Sequence, residues 1–259
     1  MPPRPSYDDV LSAAERIAPY VLRTPLLPSE ALSQETGVDV WLKAESLQPT
    51  GAFKVRGASN AVMALGDAEA QRGILTHSSG NHAAAVARAA RLRGVDAHIV
   101  MPENSSRVKV AAVRALGVEP TFCEPTAESR VETAERIREQ TGATLVPPYN
   151  HPDVIAGQGT VGLEILEQQP DVDVILVPVG GGGLLSGILT AVKAQRPSVK
   201  VIAAEPALAD DAARSLASGA IQQPTRYDTI ADGLRTPLGT LTFPIIQDLL
   251  DDIELVDED

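Results

Sequence analysis

Short apolar runs alternate with helical patterns along most of the chain. The pattern predicts a strand over 40–44, a helix over 53–65, a strand over 73–76 and an alanine-rich helix over 81–93 that ends at Gly94. It continues with a strand over 96–101, a helix over 106–116, a strand over 118–123 and a helix over 127–141 closed by Gly142. From Ala143 the order repeats: a strand, a helix over 154–168, the strongly apolar strand 172–179, a helix over 184–195 and a strand over 200–204. These strands are apolar along their length, the mark of parallel sheets covered by helices on both faces, so the expected fold class is α/β. The turn-rich PPYNHP segment at 147–152 reads as a hinge between βα units. Beyond Asp210 the alternation weakens, leaving a short amphipathic helix over 244–250.

Composition narrows the class. At 259 residues the chain is one large domain or two modest ones. An apolar content of 44% excludes intrinsic disorder, and only 3% aromatic residues implies a core of Ala, Val, Leu and Ile. With 22 Lys plus Arg against 34 Asp plus Glu, the net charge of −12 argues against nucleic acid or an acidic membrane as partner. Small molecules or further copies of the chain remain. The single cysteine, Cys123, permits no intramolecular disulfide and no Cys-based zinc site, which suits a reducing cytoplasm. No apolar segment of signal-peptide length follows the first residues, so an untargeted soluble protein is expected. Residues 174–192 carry no charge over about the length of a membrane span, but Pro178 and four consecutive glycines make them a strand, turn and helix instead. Asp248, Asp251, Asp252, Glu254, Asp257, Glu258 and Asp259, with no base among them, read as a solvated tail.

Four features carry candidate chemistry. Gly180, Gly181, Gly182 and Gly183 stand where a buried strand passes into a helix, a place where backbone N–H groups and the helix dipole bind anions. The spacing is neither a Rossmann nor a Walker fingerprint, and a tight turn without ligand is the alternative. Ser78, Ser79, Asn81 and His82 sit at another strand-to-helix junction, either as caps or as donors to a carboxylate or ring oxygen. Lys54 begins a helix, the unfavourable end of the dipole for a cation, and it is one of five lysines against seventeen arginines. An amine can deprotonate and act as nucleophile or base where a guanidinium cannot. Glu205 and Asp211 flank a turn, forming either a hard-cation site or a solvated acidic loop.

Together, in this order and at these strand ends, the motifs resemble the pyridoxal-phosphate enzymes of the tryptophan-synthase-β fold type, and within them the serine racemase and serine/threonine dehydratase group. THSSGNH, CEPTAESR, VIAGQGTVGLEIL, VPVGGGGLLSGI, VIAAEPALADD and TIADGL carry the likeness. It implies two domains, each an open, mostly parallel twisted sheet with helices on both faces, and the cofactor in the cleft between them. Residues 1–66 and 150–259 would form the large domain and 72–148 the small one. Lys54 would form the Schiff base with pyridoxal 5'-phosphate, Phe53 would pack beside the ring, Asn81 would bond its phenolic oxygen, and Gly180–Gly183 with Leu184 would hold the phosphate. Lys54 and Ser79 would be the two acid/base groups, with Ser78, Ser79, Asn81, His82, Arg130 and Thr236 around the substrate. Glu205, the Ala209 carbonyl and Asp211 would hold magnesium or calcium.

The implied activity is racemisation of L-serine, or its dehydration to a 2-oxo acid and ammonia, by a cytoplasmic homodimer, with L-threonine or 3-hydroxyaspartate as further substrates. Ser79, where threonine dehydratases commonly carry alanine, favours the racemase side over a threonine ammonia-lyase. Ala84 stands where the group has glutamine. The family's C-terminal segment, with a hydroxyl facing the pyridine nitrogen, is not found before Asp259. A weakly active paralogue that binds only cofactor or a partner subunit is therefore a further reading, with the apolar surface around 184–192 and 245–250 uncovered and the tail leading into a further helix.

Overall fold

A computed structural model describes residues 3–78 and 80–258. In chain order the elements are α1 (Tyr7–Ile17), β1 (Leu26–Pro28), α2 (Glu30–Thr36), β2 (Trp41–Lys43), α3 (Lys54–Ala64), α4 (Asp67–Ala70), β3 (Ile74–His77), α5 (Asn81–Arg93), β4 (Ala97–Pro102), α6 (Arg107–Arg114), β5 (Thr121–Cys123), α7 (Ala127–Thr141) and β6 (Thr144–Leu145). There follow α8 (Pro152–Gln168), β7 (Val174–Pro178), α9 (Gly183–Gln195), β8 (Lys200–Pro206), α10 (Asp211–Ser218), α11 (Thr242–Leu249) and β9 (Asp252–Val256). Short 3-10 turns lie at Glu45–Leu47, Ala207–Ala209 and Asp232–Leu234. The α/β class is as the sequence predicts.

Two parallel sheets organise these elements: a four-stranded one in the order β5-β4-β3-β6 and a three-stranded one in the order β7-β8-β9. Side chains of successive strand residues point to opposite faces, and in the first sheet both faces are covered. Ile74, Ile99 and Met101 pack against α3, α5 and α6, while Leu75, Val100 and Cys123 pack against Ala134 and Ile137 of α7. In the second sheet, Ile175, Val177, Val201 and Ala203 bury themselves under α8 and α9. Glycines bring helices into backbone contact: a Cβ at Gly57 would lie 2.6 Å from the Val154 carbonyl, and one at Gly157 would lie 2.7 Å from the Arg56 carbonyl. Hence a side chain at either glycine would force α3 and α8 apart.

Several expectations change. The acidic tail, read as a solvated end, contains a strand: β9 pairs in parallel with β8 from Ile202↔Asp252 to Pro206↔Val256, while Asp252, Glu254, Leu255 and Val256 stay exposed. Ile253 and Val256 favour the strand, and pairing with β8 outweighs the carboxylates among them. The apolar surface of 184–192 and 245–250 is not open: Leu185, Ile188, Leu189, Val192, Ile245 and Ile246 are buried. The exposed apolar side chains of this region are Val174, Leu176, Leu255 and Val256, on the sheet itself. Finally, α1 has its own signal, a capping box between Ser6 and Asp9 followed by buried Val10, Ala13 and Ile17, of which Val10 and Ala13 pack on α8 and α9. Among the described residues no helix is long and apolar enough to cross a membrane.

Candidate active site

The site is assembled around one stretch of chain, Val146–Tyr149, between β6 and α8. Its carbonyls accept from two candidate side chains: Val146 O from His82 Nε2 at 3.0 Å, and Pro148 O from Lys54 Nζ at 2.8 Å. Its Tyr149 ring lies against the glycine loop. Lys54 is the first residue of α3, its ammonium 5.2 Å from the centroid of the Phe53 ring. No carboxylate among the described residues forms an ion pair with it, and desolvation lowers its amine from 10.5 to about 8. A lysine so placed is far easier to deprotonate than one on the surface.

All four glycines have protein neighbours where a side chain would stand. A Cβ at Gly180 would lie 2.9 Å from Leu234 Cα, one at Gly181 2.5 Å from the Tyr149 ring, and one at Gly183 2.9 Å from Tyr149 Cβ. Gly182, the N-cap of α9, takes φ +83, which favours glycine on its own account. Close approach thus comes from the protein side of the loop. On the other side, the N–H groups of Gly182, Gly183, Leu184 and Leu185 meet no acceptor among the described residues. Four unspent donors at the head of a long helix make an anion cradle, and a phosphate fits them.

The second helix start is that of α5. Asn81 is its exposed first residue, and Ser78 Oγ accepts weakly from the Gly80 N–H at 3.4 Å. Ser79 lies outside the described residues. The ring of His82 is committed within the protein. Its imidazole is buried, desolvation pushes it down to about 3, and donation from Nε2 to Val146 leaves Nδ1 as an unpartnered lone pair. A lone pair does not receive a carboxylate, so only the backbone N–H of His82 is suited to that task. Arg130 leans on Thr126 O at 3.4 Å, and its charge is felt at His77, Cys123 and Tyr149. Thr236 is half-buried, two residues beyond Leu234, which packs on Gly180. Tyr149 was not singled out from the sequence; only the turn-forming character of its surroundings was visible there.

Glu205, at the end of β8, accepts from the N–H groups of Ala212 and Ala213 at 2.7 and 2.9 Å. Asp211, buried at the start of α10, has neither carboxylate oxygen in a well-formed hydrogen bond among the described residues. Desolvation raises Glu205 to about 7 and Asp211 to about 6, and each carboxylate is further disfavoured by acidic neighbours. Two desolvated hard-oxygen groups, neither in an ion pair with a cation among the described residues, fit a divalent cation. No cluster of three or more His, Cys, Asp or Glu side chains able to hold a metal occurs among the described residues.

A deprotonable lysine beside an anion cradle is the constellation that an aldehyde-bearing phosphate cofactor requires: an amine to bond its carbonyl carbon and free amides for its phosphate. The chain belongs to the pyridoxal-phosphate-dependent enzymes, whose family description matches residues 17–259. It is 51% identical over 249 residues to the serine racemase of Oryza sativa subsp. indica, covering 96% of this chain and 74% of the relative. Among solved structures, maize serine racemase superposes with a TM-score of 0.97 at 49% identity, covering 99% of this chain and 78% of that one. A threonine deaminase from T.th. superposes with a TM-score of 0.93 at 48% identity, covering 98% and 83%.

Proposed function

We propose that this chain is a serine racemase/dehydratase that removes the Cα proton of L-serine, either returning it on the opposite side or expelling the β-hydroxyl to give a 2-oxo acid and ammonia. The observation that carries the reading is Lys54, a desolvated amine held by a backbone carbonyl next to the amide cradle of Gly182–Leu185. Bound there, pyridoxal phosphate supplies the electron sink that stabilises negative charge at Cα. Lys54 would hold the cofactor and, once released by the substrate amine, be the base for the Cα proton; Phe53 would pack beside the ring, Asn81 would donate to its phenolic oxygen, and Gly180–Gly183 with Leu184 would hold the phosphate. Ser78, Asn81 and the N–H of His82 bind the substrate carboxylate at the head of α5, with Arg130 and Thr236 at the substrate's edge.

Racemisation needs a second proton donor, and the sequence motif offers Ser79. Incubation with L-serine, with D-serine and pyruvate assayed separately, tests the assignment. Ser79→Ala is expected to remove D-serine formation while leaving pyruvate formation within about threefold of wild type; equal loss of both contradicts it. The likeness to the T.th. threonine deaminase supports L-threonine as a second substrate, and 3-hydroxyaspartate shares the same β-hydroxyl leaving group.

Glu205, the Ala209 carbonyl and Asp211 are proposed to hold Mg2+ or Ca2+, which would offset the desolvation of the two carboxylates. Millimolar CaCl2 or MgCl2 is then expected to raise the melting temperature by several degrees, and Asp211→Ala to abolish the rise. The same reading takes residues 1–66 and 150–259 as one domain and 72–148 as the other, and a homodimer as the assembled form. The four-stranded sheet within 74–145 and the three-stranded one within 174–256 support the division. The single buried thiol of Cys123 supports a reducing cytoplasmic setting.

A further inference from the structure

Lys54 stands at a helix start that its own sequence does little to define. Phe53 provides no side-chain cap, and the first turn of α3 holds two cations, Lys54 and Arg56, but no acid. Both cations oppose the helix dipole. Something outside the helix must hold that turn, and Arg56 is where it is held.

The Arg56 side chain is fully buried. Nε and Nη2 fork onto Glu45 at 2.8 and 2.7 Å, Nη1 and Nη2 fork onto Glu164 at 2.7 and 2.9 Å, and Nη1 also donates to Thr160 Oγ1 at 3.1 Å. Nη2 reaches the Leu22 carbonyl at 3.3 Å. Lys43 donates to Glu164 at 2.5 Å, so two cations and two carboxylates balance in a nearly dry cluster. Thr160 and Glu164 belong to α8. That helix begins at Pro152, four residues after Pro148, whose carbonyl receives the Lys54 amine. Donor and acceptor of the Lys54 hydrogen bond therefore belong to the two segments that the clamp joins: Lys54 two residues before Arg56 on α3, and Pro148 just ahead of α8, twelve residues before Thr160. Gly57 N–H donating to Gln158 Oε1 at 3.2 Å, and the glycine crossing of α3 and α8, leave that clamp little freedom to slide.

We propose that Arg56 is the positioning residue for Lys54: its double fork fixes the first turn of α3 against α8 and so keeps the Lys54 amine on the Pro148 carbonyl. This rests on the reading of Lys54 as the cofactor lysine, yet it concerns the chain's own geometry. Only a planar fork satisfies two carboxylates at once, so Arg56→Lys keeps the charge and loses the geometry.

The test is the pH midpoint of Lys54 acylation in the full chain without cofactor, resolved from other amines by tandem mass spectrometry. Arg56→Lys is expected to raise the midpoint by about one pH unit or more as the amine leaves its desolvated position. Thr160→Val, which removes one acceptor without changing size, is expected to raise it by a smaller amount. If Arg56→Lys does not melt cooperatively, Thr160→Val decides alone. An unchanged midpoint in the folded variants, whatever their melting temperatures, would reduce Arg56 to a stabilising residue and overturn the proposal. Because this readout needs no cofactor, a wild-type protein that failed to load cofactor on Lys54 would fail the functional reading and leave this measurement standing.

Discussion

Lys54→Met is expected to abolish turnover of L-serine, by about ten-thousand-fold or more, and at the same time to stabilise the cofactor-free protein. The two effects have one cause. Desolvation that lowers the amine from 10.5 to about 8 corresponds to a cost of no more than about 3 kcal/mol for holding the charged form in place. Methionine keeps the length of the side chain and has no charge to desolvate. The gain is full below pH 8, where Lys54 is protonated in both folded and unfolded chains. It fades between pH 8 and 10.5, as the folded protein comes to hold the amine uncharged while the unfolded chain still protonates it. Thermal melts of both proteins at pH 7 and pH 10 check this: the melting-temperature difference should be several degrees at the lower pH and much smaller at the higher. A variant less stable than wild type at pH 7 would mean that the Pro148 hydrogen bond and the Phe53 contact outweigh the desolvation cost.

Gly181→Ala is expected to lower pyridoxal-phosphate affinity by about tenfold or more, because the new methyl has no room. It would lie 2.5 Å from Cγ and Cδ1 of Tyr149, so either the ring or the loop must move, and the loop carries the amides that hold the phosphate. Isothermal titration with pyridoxal phosphate reads the loss. The decisive comparison is made in a Tyr149→Ala background, where the space is vacant and Gly181→Ala should cost little. Equal losses with and without the tyrosine would place the constraint on the ligand side of the loop instead.

These two positions also show what was legible in the sequence. The strands β3, β4 and β7 could be read because they are apolar along their length, although β7 buries only one face and leaves Val174 and Leu176 exposed, and α5 and α7 because their glycine stops follow directly. Lys54 and the glycine run were visible as anomalies, a cation at the wrong end of a helix and four residues with high conformational entropy in succession. The reasons behind them were less visible. Tyr149 and the carbonyls of Val146 and Pro148 act through backbone position and ring packing, which no motif records. The commitment of the His82 ring to Val146 is a tertiary contact that the SSGNH motif does not record. The ion cluster joins Lys43, Glu45, Arg56 and Glu164 across more than a hundred residues, and each is an ordinary charge when read alone. In β9 Ile253 and Val256 suit a strand, but the carboxylates around them masked it, and the edge of β8 that it pairs with is a tertiary feature.

The central claim, that Lys54 holds pyridoxal phosphate, is tested most directly by borohydride reduction of the loaded protein followed by peptide mapping. Reduction fixes the cofactor on whichever amine it is bonded to, and the chain offers Lys43, Lys54, Lys109, Lys193 and Lys200. The prediction is a single, stoichiometric pyridoxyl label on Lys54; a label on another lysine, or none after saturation with the cofactor, would contradict it.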